Sequence, residues 1–209
     1  MNLLVSGAGG FGREVARMLS DFSTFEVQGF VDADQTLWGE SVDDVPVLGG
    51  DEVLESRRVD FEGYGVALCV GDSQVRKLIH ERVSRLGYAL PPIVHPQAYV
   101  APDVPVGSGT IIYPGAVAMT GCSLGHGVLV NAGATLGHDV RVGDFSNIGP
   151  GANIAGRVVL EAGVLVGIGS SILEMCTVGA NARIGGGAVV IDDVPSAATV
   201  VGIPARPTT

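Results

Sequence analysis

Positive charge is scarce in this 209-residue chain, where 12 Lys and Arg face 22 Asp and Glu and charged residues total 16%. A net charge of −10 and a pI near 4.6 argue against nucleic acid or an anionic membrane surface as partner, since both recruit basic patches. Long apolar runs are also missing. None approaches the roughly 20 residues of a membrane-spanning helix, so membrane insertion is not expected. The first residues, Met-Asn-Leu-Leu-Val-Ser-Gly, have no basic segment ahead of an apolar one. They read as a strand entering a turn rather than a secretory signal, which points to a cytoplasmic protein. Cysteine is limited to Cys69, Cys122 and Cys176, as suits small core fillers in a reducing compartment.

Glycine, in contrast, is abundant. The chain has 32, about twice the ordinary usage near 7%, and most of the excess follows residue 100. The reason is a repeat. Every sixth residue from Val94 to Val190 is Val, Ile or Leu, with Ala118 the one exception, over seventeen consecutive positions. Four residues after each lies a second column, Ala98 to Val194, whose members are all small or β-branched.

A period of six with one large aliphatic and one small residue is the hexapeptide signature of a parallel β-helix. Each hexad makes a short strand and a corner, and three hexads close a triangular coil of eighteen residues. The aliphatic points inward, the small residue fits near the corner, and glycines serve where φ turns positive. Coils stack at about 4.8 Å, the spacing of neighbouring strands. Seventeen hexads give between five and six coils with no long insertion. Cys122 and Cys176, 54 residues apart, then share a column three coils apart, about 14 Å, too far for a disulfide.

The preceding 90 residues follow a different rule. A short apolar run leads into Gly7-Ala8-Gly9-Gly10-Phe11-Gly12, then a helical segment from Arg13, then a strand from Val27 to Val31 that ends at Asp32. Strand, G-x-G-x-x-G turn, helix, strand and acid are the context of a nucleotide-binding βαβ unit. Three or four parallel strands are expected here. Ser73 is the expected cap of a later helix whose apolar face holds Val75, Leu78, Ile79, Val83 and Leu86. The domains expected are 1–90, a Rossmann-like half domain, and 91–209, the β-helix with a C-terminal tail.

With its interior filled by aliphatics, the coil can place chemistry only on its outer corners. His126 and His138 both stand second after an aliphatic, on different edges. Asp139 beside His138 can fix an imidazole tautomer and raise its basicity. His126 has glycine on both sides and reads as a surface histidine. His95, in a proline-rich junction, reads as structural or solvent-facing. No Ser or Cys has a triad-like setting, and no metal cluster is evident.

The segment from Val130 to Asp139, followed by Val142-Gly143-Asp144-Phe145, resembles the active-site segment of the bacterial PglD/NeuD-type sugar acetyltransferases. The glycine turn, Val70-Gly71-Asp72, His95-Pro96 and the tail Gly202-Ile203-Pro204-Ala205-Arg206 match that family in order. The resemblance implies a left-handed β-helix, a homotrimer, a nucleotide-sugar substrate and acetyl-CoA as co-substrate. By position it makes His138 the general base, Asp139 its tuning group and the Gly156 N–H an oxyanion donor, with Asn131 near the reacting group. Asn147, Ile168 and Gly186 would meet CoA. Gly9, Gly10 and Phe11 would meet the nucleotide, Asp32 and Ala33 its uracil or ribose side, and Gly71 the adjacent loop. Many relatives carry histidine at the position of Asn147, and often at that of Phe11.

The function expected is acetyl-CoA-dependent N-acetylation of a nucleotide-linked, UDP-type amino sugar. Alternatives are O-acetylation of a sugar such as sialic acid and a non-catalytic scaffold that senses a nucleotide. A nicotinamide-linked oxidoreductase is suggested only by the glycine turn, and the N-terminal domain is short for it. Tyr113, Met119 and Leu173 are expected as apolar patches on the outer faces.

Overall fold

The computed structural model describes residues 1–22 and 24–208 and divides into two compact units, Met1–Pro91 and Pro92–Thr209. In the first, the N-terminal apolar run forms β1 (Asn2–Ser6), the helix after the glycine turn is α1 (Gly10–Leu19), and β2 (Glu26–Val31) returns parallel to β1. An antiparallel hairpin of β3 (Ser41–Val42) and β4 (Val45–Pro46) precedes α2 (Val53–Ser56), β5 (Gly65–Leu68) and α3 (Ser73–Arg85). Sheet order is β2-β1-β5, with both pairings parallel. Val47 adds a single parallel bridge to Phe30, so the fourth strand is reduced to one bridge. Leu3, Leu4 and Val5 are fully buried, the continuous run expected of a strand covered on both faces.

Two local expectations for α3 change. Its cap is Asp72, not Ser73: the Asp72 carboxylate accepts the N–H groups of Gln74 (2.9 Å) and Val75 (3.0 Å). An ionised carboxylate serves the positive helix end better than a hydroxyl. Its face is also divided. Val83 is buried, whereas Val75 and Leu78 are exposed, and the fully buried large side chain is Arg76. The Arg76 guanidinium donates to the carbonyls of Val70 (2.8 Å) and Gly71 (3.0 Å), and burial pushes its pKa down to about 10.

The second unit is a parallel β-solenoid. From Ile111 to Val190 a two-residue strand recurs every six residues without interruption. Each pairs with the strand eighteen residues away, as Leu129–Val130 does with Ile111–Ile112 and Asn147–Ile148. Three parallel ladders result, one per face. The column from Ile112 to Val190 is buried throughout, each Val, Ile or Leu in it contributing roughly 1.5–3 kcal/mol. Polar members of the small column are satisfied internally. Buried Thr110 Oγ1 donates to Gly125 O (2.8 Å) and accepts from Val128 N (3.0 Å).

The corners explain the glycines. The third residue after each aliphatic, from position 109 to 187, has φ between +58° and +72°. Glycine fills nine of these positions, and Asp139, Phe145, Arg157, Met175 and Asn181 fill the other five. Beyond Val190 the chain drops two residues from the period and continues: Val194 bridges Val178, and Val200 pairs with Ile184, each sixteen residues back. Cys122 and Cys176 are buried free thiols in one column. Tyr113 is buried, while Met119 and Leu173 are exposed, as is Ile191 in the same column. No helix among the described residues is long and apolar enough to cross a membrane.

Candidate active site

His138 and Asp139 stand on the corner between the strands Thr135–Leu136 and Arg141–Val142. Asp139, at φ +59°, turns its carboxylate back onto its neighbour, and His138 Nδ1 lies 2.8 Å from Asp139 Oδ2. A carboxylate can only accept, so in the neutral imidazole Nδ1 carries the proton and Nε2 the lone pair. The imidazole is half exposed.

The eighteen-residue pitch places Gly156 against the face of that ring at Nε2. A methyl group on Gly156 would lie 2.6 Å from His138 Nε2, 2.8 Å from Cε1 and 3.0 Å from Cδ2. Imidazole therefore occupies the space a side chain at 156 would need. Gly156 O accepts from Met175 N (3.1 Å) and the next N–H, of Arg157, donates to His138 O (2.8 Å). Among the described residues no acceptor is paired with Gly156 N–H. One coil the other way, a Cβ on Gly121 would run into Asp139 Oδ1. The His–Asp pair is thus seated between two glycines. Sequence reading reached Gly156 but missed Gly121, which subtracting eighteen from Asp139 would have found.

The remaining positions of the second unit fall elsewhere on the coil. Asn131 lies past the strand Leu129–Val130, at the corner that also carries Ile168 and Gly186. Asn131 Nδ2 donates to Ile148 O (2.8 Å), and a Cβ on Gly186 would meet Ile168 Cγ2 at 3.1 Å. Asn147 begins the strand Asn147–Ile148 on the face leading into that corner. One chain therefore unites His138, Asp139 and Gly156 on one edge, and Asn131, Ile168 and Gly186 on another, with a full face between them.

His126 stands on a different corner from His138. Its Nδ1 faces Ser108, with Oγ at 3.0 Å, and Asp144 Oδ1 accepts its backbone N–H (2.8 Å). His95 is buried, and its Nδ1 accepts Gln97 N–H (3.1 Å), so of its two expected roles the structure takes the structural one.

In the first unit the glycine turn is braced by Asp32. Its Oδ2 accepts Ala8 N–H (2.6 Å) and its Oδ1 accepts Asp34 N–H (2.8 Å). Gly12 has no alternative, because any Cβ there would collide with the carbonyl of Gly7. At Gly9, Gly10 and Gly71, in contrast, no atom lies within 4 Å of where a Cβ would stand. Gly9 and Gly10 leave open space at the α1 N-terminus, whose cap Gly9 supplies no side-chain hydrogen bond. Phe11 stands in the first turn of α1. A cavity of about 500 Å³ opens over the C-terminal ends of the strands, reaching from Gly7, Asp32 and Ala33 to Asp51 and the α3 residues Val75, Leu78 and Arg82. Among the described residues no three His, Cys, Asp or Glu side chains are grouped as metal ligands.

Comparison with known proteins bears on the whole chain. The profile of the PglD N-terminal domain matches residues 2–83. The acetyltransferase domain of PglB from Neisseria gonorrhoeae, solved with acetyl coenzyme A, is 35% identical with a TM-score of 0.92, covering 99% of this chain and 98% of its own. PerB from Caulobacter crescentus, solved with CoA and GDP-perosamine, is 28% identical with a TM-score of 0.93, covering 100% and 98%. WeeI from Acinetobacter baumannii is 25% identical with a TM-score of 0.80, covering both chains fully. A search of curated proteins returns no match. The solenoid, with its small α/β unit ahead, is that of the left-handed β-helix acetyltransferases, and the chain belongs to the PglD/NeuD-type family of hexapeptide-repeat sugar acetyltransferases.

Proposed function

We propose that this chain transfers acetyl from acetyl-CoA to the amine of a nucleotide-linked amino sugar, directly and without an acyl-enzyme. The observation that carries the reading is the His138 imidazole, protonated at Nδ1 by its bond to Asp139 and laid with Nε2 over Gly156. Nε2 takes a proton from the amine as nitrogen attacks the thioester carbon. The Gly156 N–H donates to the oxyanion that develops. The C–S bond then breaks, and the CoA thiolate leaves and recovers the proton from His138. Acetyl-CoA in the N. gonorrhoeae domain and GDP-perosamine in PerB support these two substrate classes. Gly9, Gly10, Phe11, Asp32, Ala33 and Gly71 would hold the nucleotide in the first unit, residues 1–90 of the expected division.

Asn131, Asn147, Ile168 and Gly186 are assigned to the acetyl donor and reacting group although they lie away from the His138 edge. One site can draw on both edges only when a second copy brings its own edge alongside. This supports a homotrimer with active sites between subunits. The exposed column of Met119, Leu173 and Ile191 offers apolar surface for such contacts.

The test is CoA-thiol release from acetyl-CoA with nucleotide-linked amino sugars and with their hydroxyl counterparts. Release with the amines, giving a product stable to mild alkali as an amide is, supports N-transfer. An alkali-labile product from the hydroxyl series would place the chain among O-acetyltransferases. No release with any acceptor would leave the scaffold reading.

A further inference from the structure

Beyond the glycine turn, the cavity of the first unit extends along α3. Val75 and Leu78, apolar residues of α3, are 44% and 64% exposed and line it. Exposed side chains at adjacent helical positions form an apolar wall suited to the face of a base. Val75 and Arg82 are seven residues apart, about 10 Å along the axis at roughly 1.5 Å per residue, a span on the order of that from a phosphate to the far edge of its base. At that far end Asp51 and Arg82 face the same cavity, their side chains each 35% exposed and joined by a single contact of 3.5 Å between Oδ2 and Nη1. Among the described residues, so long a contact leaves Asp51 Oδ1 and most of the guanidinium donors available to a ligand.

We propose that this cavity selects guanine, with Asp51 as the specificity-determining residue and Arg82 beside it. The proposal rests on the nucleotide-sugar reading above and deepens it. A carboxylate only accepts and a guanidinium only donates. Guanine presents, in order, the O6 acceptor and the N1–H and N2–H donors, which match Arg82 and both oxygens of Asp51. Uracil presents one N–H between two carbonyls, so its second carbonyl would face the carboxylate. Adenine would aim the N1 lone pair at it. The uridine expected from the sequence therefore leaves Asp51 with an acceptor opposite an acceptor.

The experiment is calorimetric titration of the full chain with GDP, UDP and xanthosine diphosphate, for wild type, Asp51→Asn and Arg82→Gln. Each charge-assisted bond is worth roughly a tenfold or greater change in affinity. GDP should bind wild type at least tenfold more tightly than UDP, and each substitution should weaken GDP at least tenfold without lowering the melting temperature by more than about 2 °C. Asp51→Asn should also gain affinity for xanthosine diphosphate, whose 2-carbonyl accepts where guanine donates. Equal or tighter UDP binding by wild type, or unchanged GDP binding by Asp51→Asn, overturns guanine selection and leaves the nucleotide reading standing. Binding of neither nucleotide removes both.

Discussion

Replacing Gly156 by Ala separates the two roles given to this corner. Gly156 is not among the positive-φ positions, so alanine is compatible with its backbone and keeps the N–H proposed as oxyanion donor. The added methyl would stand 2.6 Å from His138 Nε2, and its two next neighbours are also imidazole atoms. Ordinary carbon contacts need about 3.5 Å, so the ring must retreat by about 1 Å. The imidazole is half exposed and can swing outward, so stability should stay within about 1 kcal/mol of wild type. A displacement of about 1 Å at a reacting group costs on the order of a hundredfold in rate. The assay is steady-state CoA release, and the expected outcome is a kcat lowered about a hundredfold with unchanged thermal melting. Adding the substitution to His138→Ala should cost nothing further, since the group it displaces is gone. A Gly156→Ala enzyme within threefold of wild type, or a further large loss in the double variant, would refute the placement of Nε2 over residue 156.

Asp139→Gly should dissociate stability from activity. Glycine relieves a residue held at φ +59°, so the melting temperature should hold or rise, while loss of the carboxylate that fixes the tautomer lowers kcat at least tenfold. Arg76→Met removes the donor to the Val70 and Gly71 carbonyls; a loss of roughly 2–3 kcal/mol in denaturant unfolding is expected, with weakened nucleotide binding. Burial raises the thiol pKa of Cys69, Cys122 and Cys176. All three should resist a thiol reagent at neutral pH until the chain unfolds.

The solenoid was legible because its side-chain pattern and its geometry share one period. Every sixth residue named the core, and adding eighteen to His138 gave Gly156 as its neighbour. The same ruler would have given Gly121, but only structure shows that Asp139 leans towards that coil. The position of the φ-positive corners was hidden, since side chains such as Arg157 and Met175 occupy glycine's conformation there. In the first unit the glycine motif located the turn correctly, yet helical periodicity misread α3. Leu78 sits at an apolar spacing and faces a cavity, whereas Arg76 is wholly buried to serve two carbonyls that no local pattern announces. Asp32 likewise matched the expected acid, but its carboxylate braces Ala8 and Asp34, a backbone role invisible to motif spacing.

The central claim is that His138 is the base in acetyl transfer. It is tested most directly by comparing wild type and His138→Ala for CoA release with acetyl-CoA and the best nucleotide-linked amino sugar. The variant should show a kcat at least a hundredfold lower with acetyl-CoA and nucleotide binding retained; turnover near the wild-type rate would remove His138 from the chemistry.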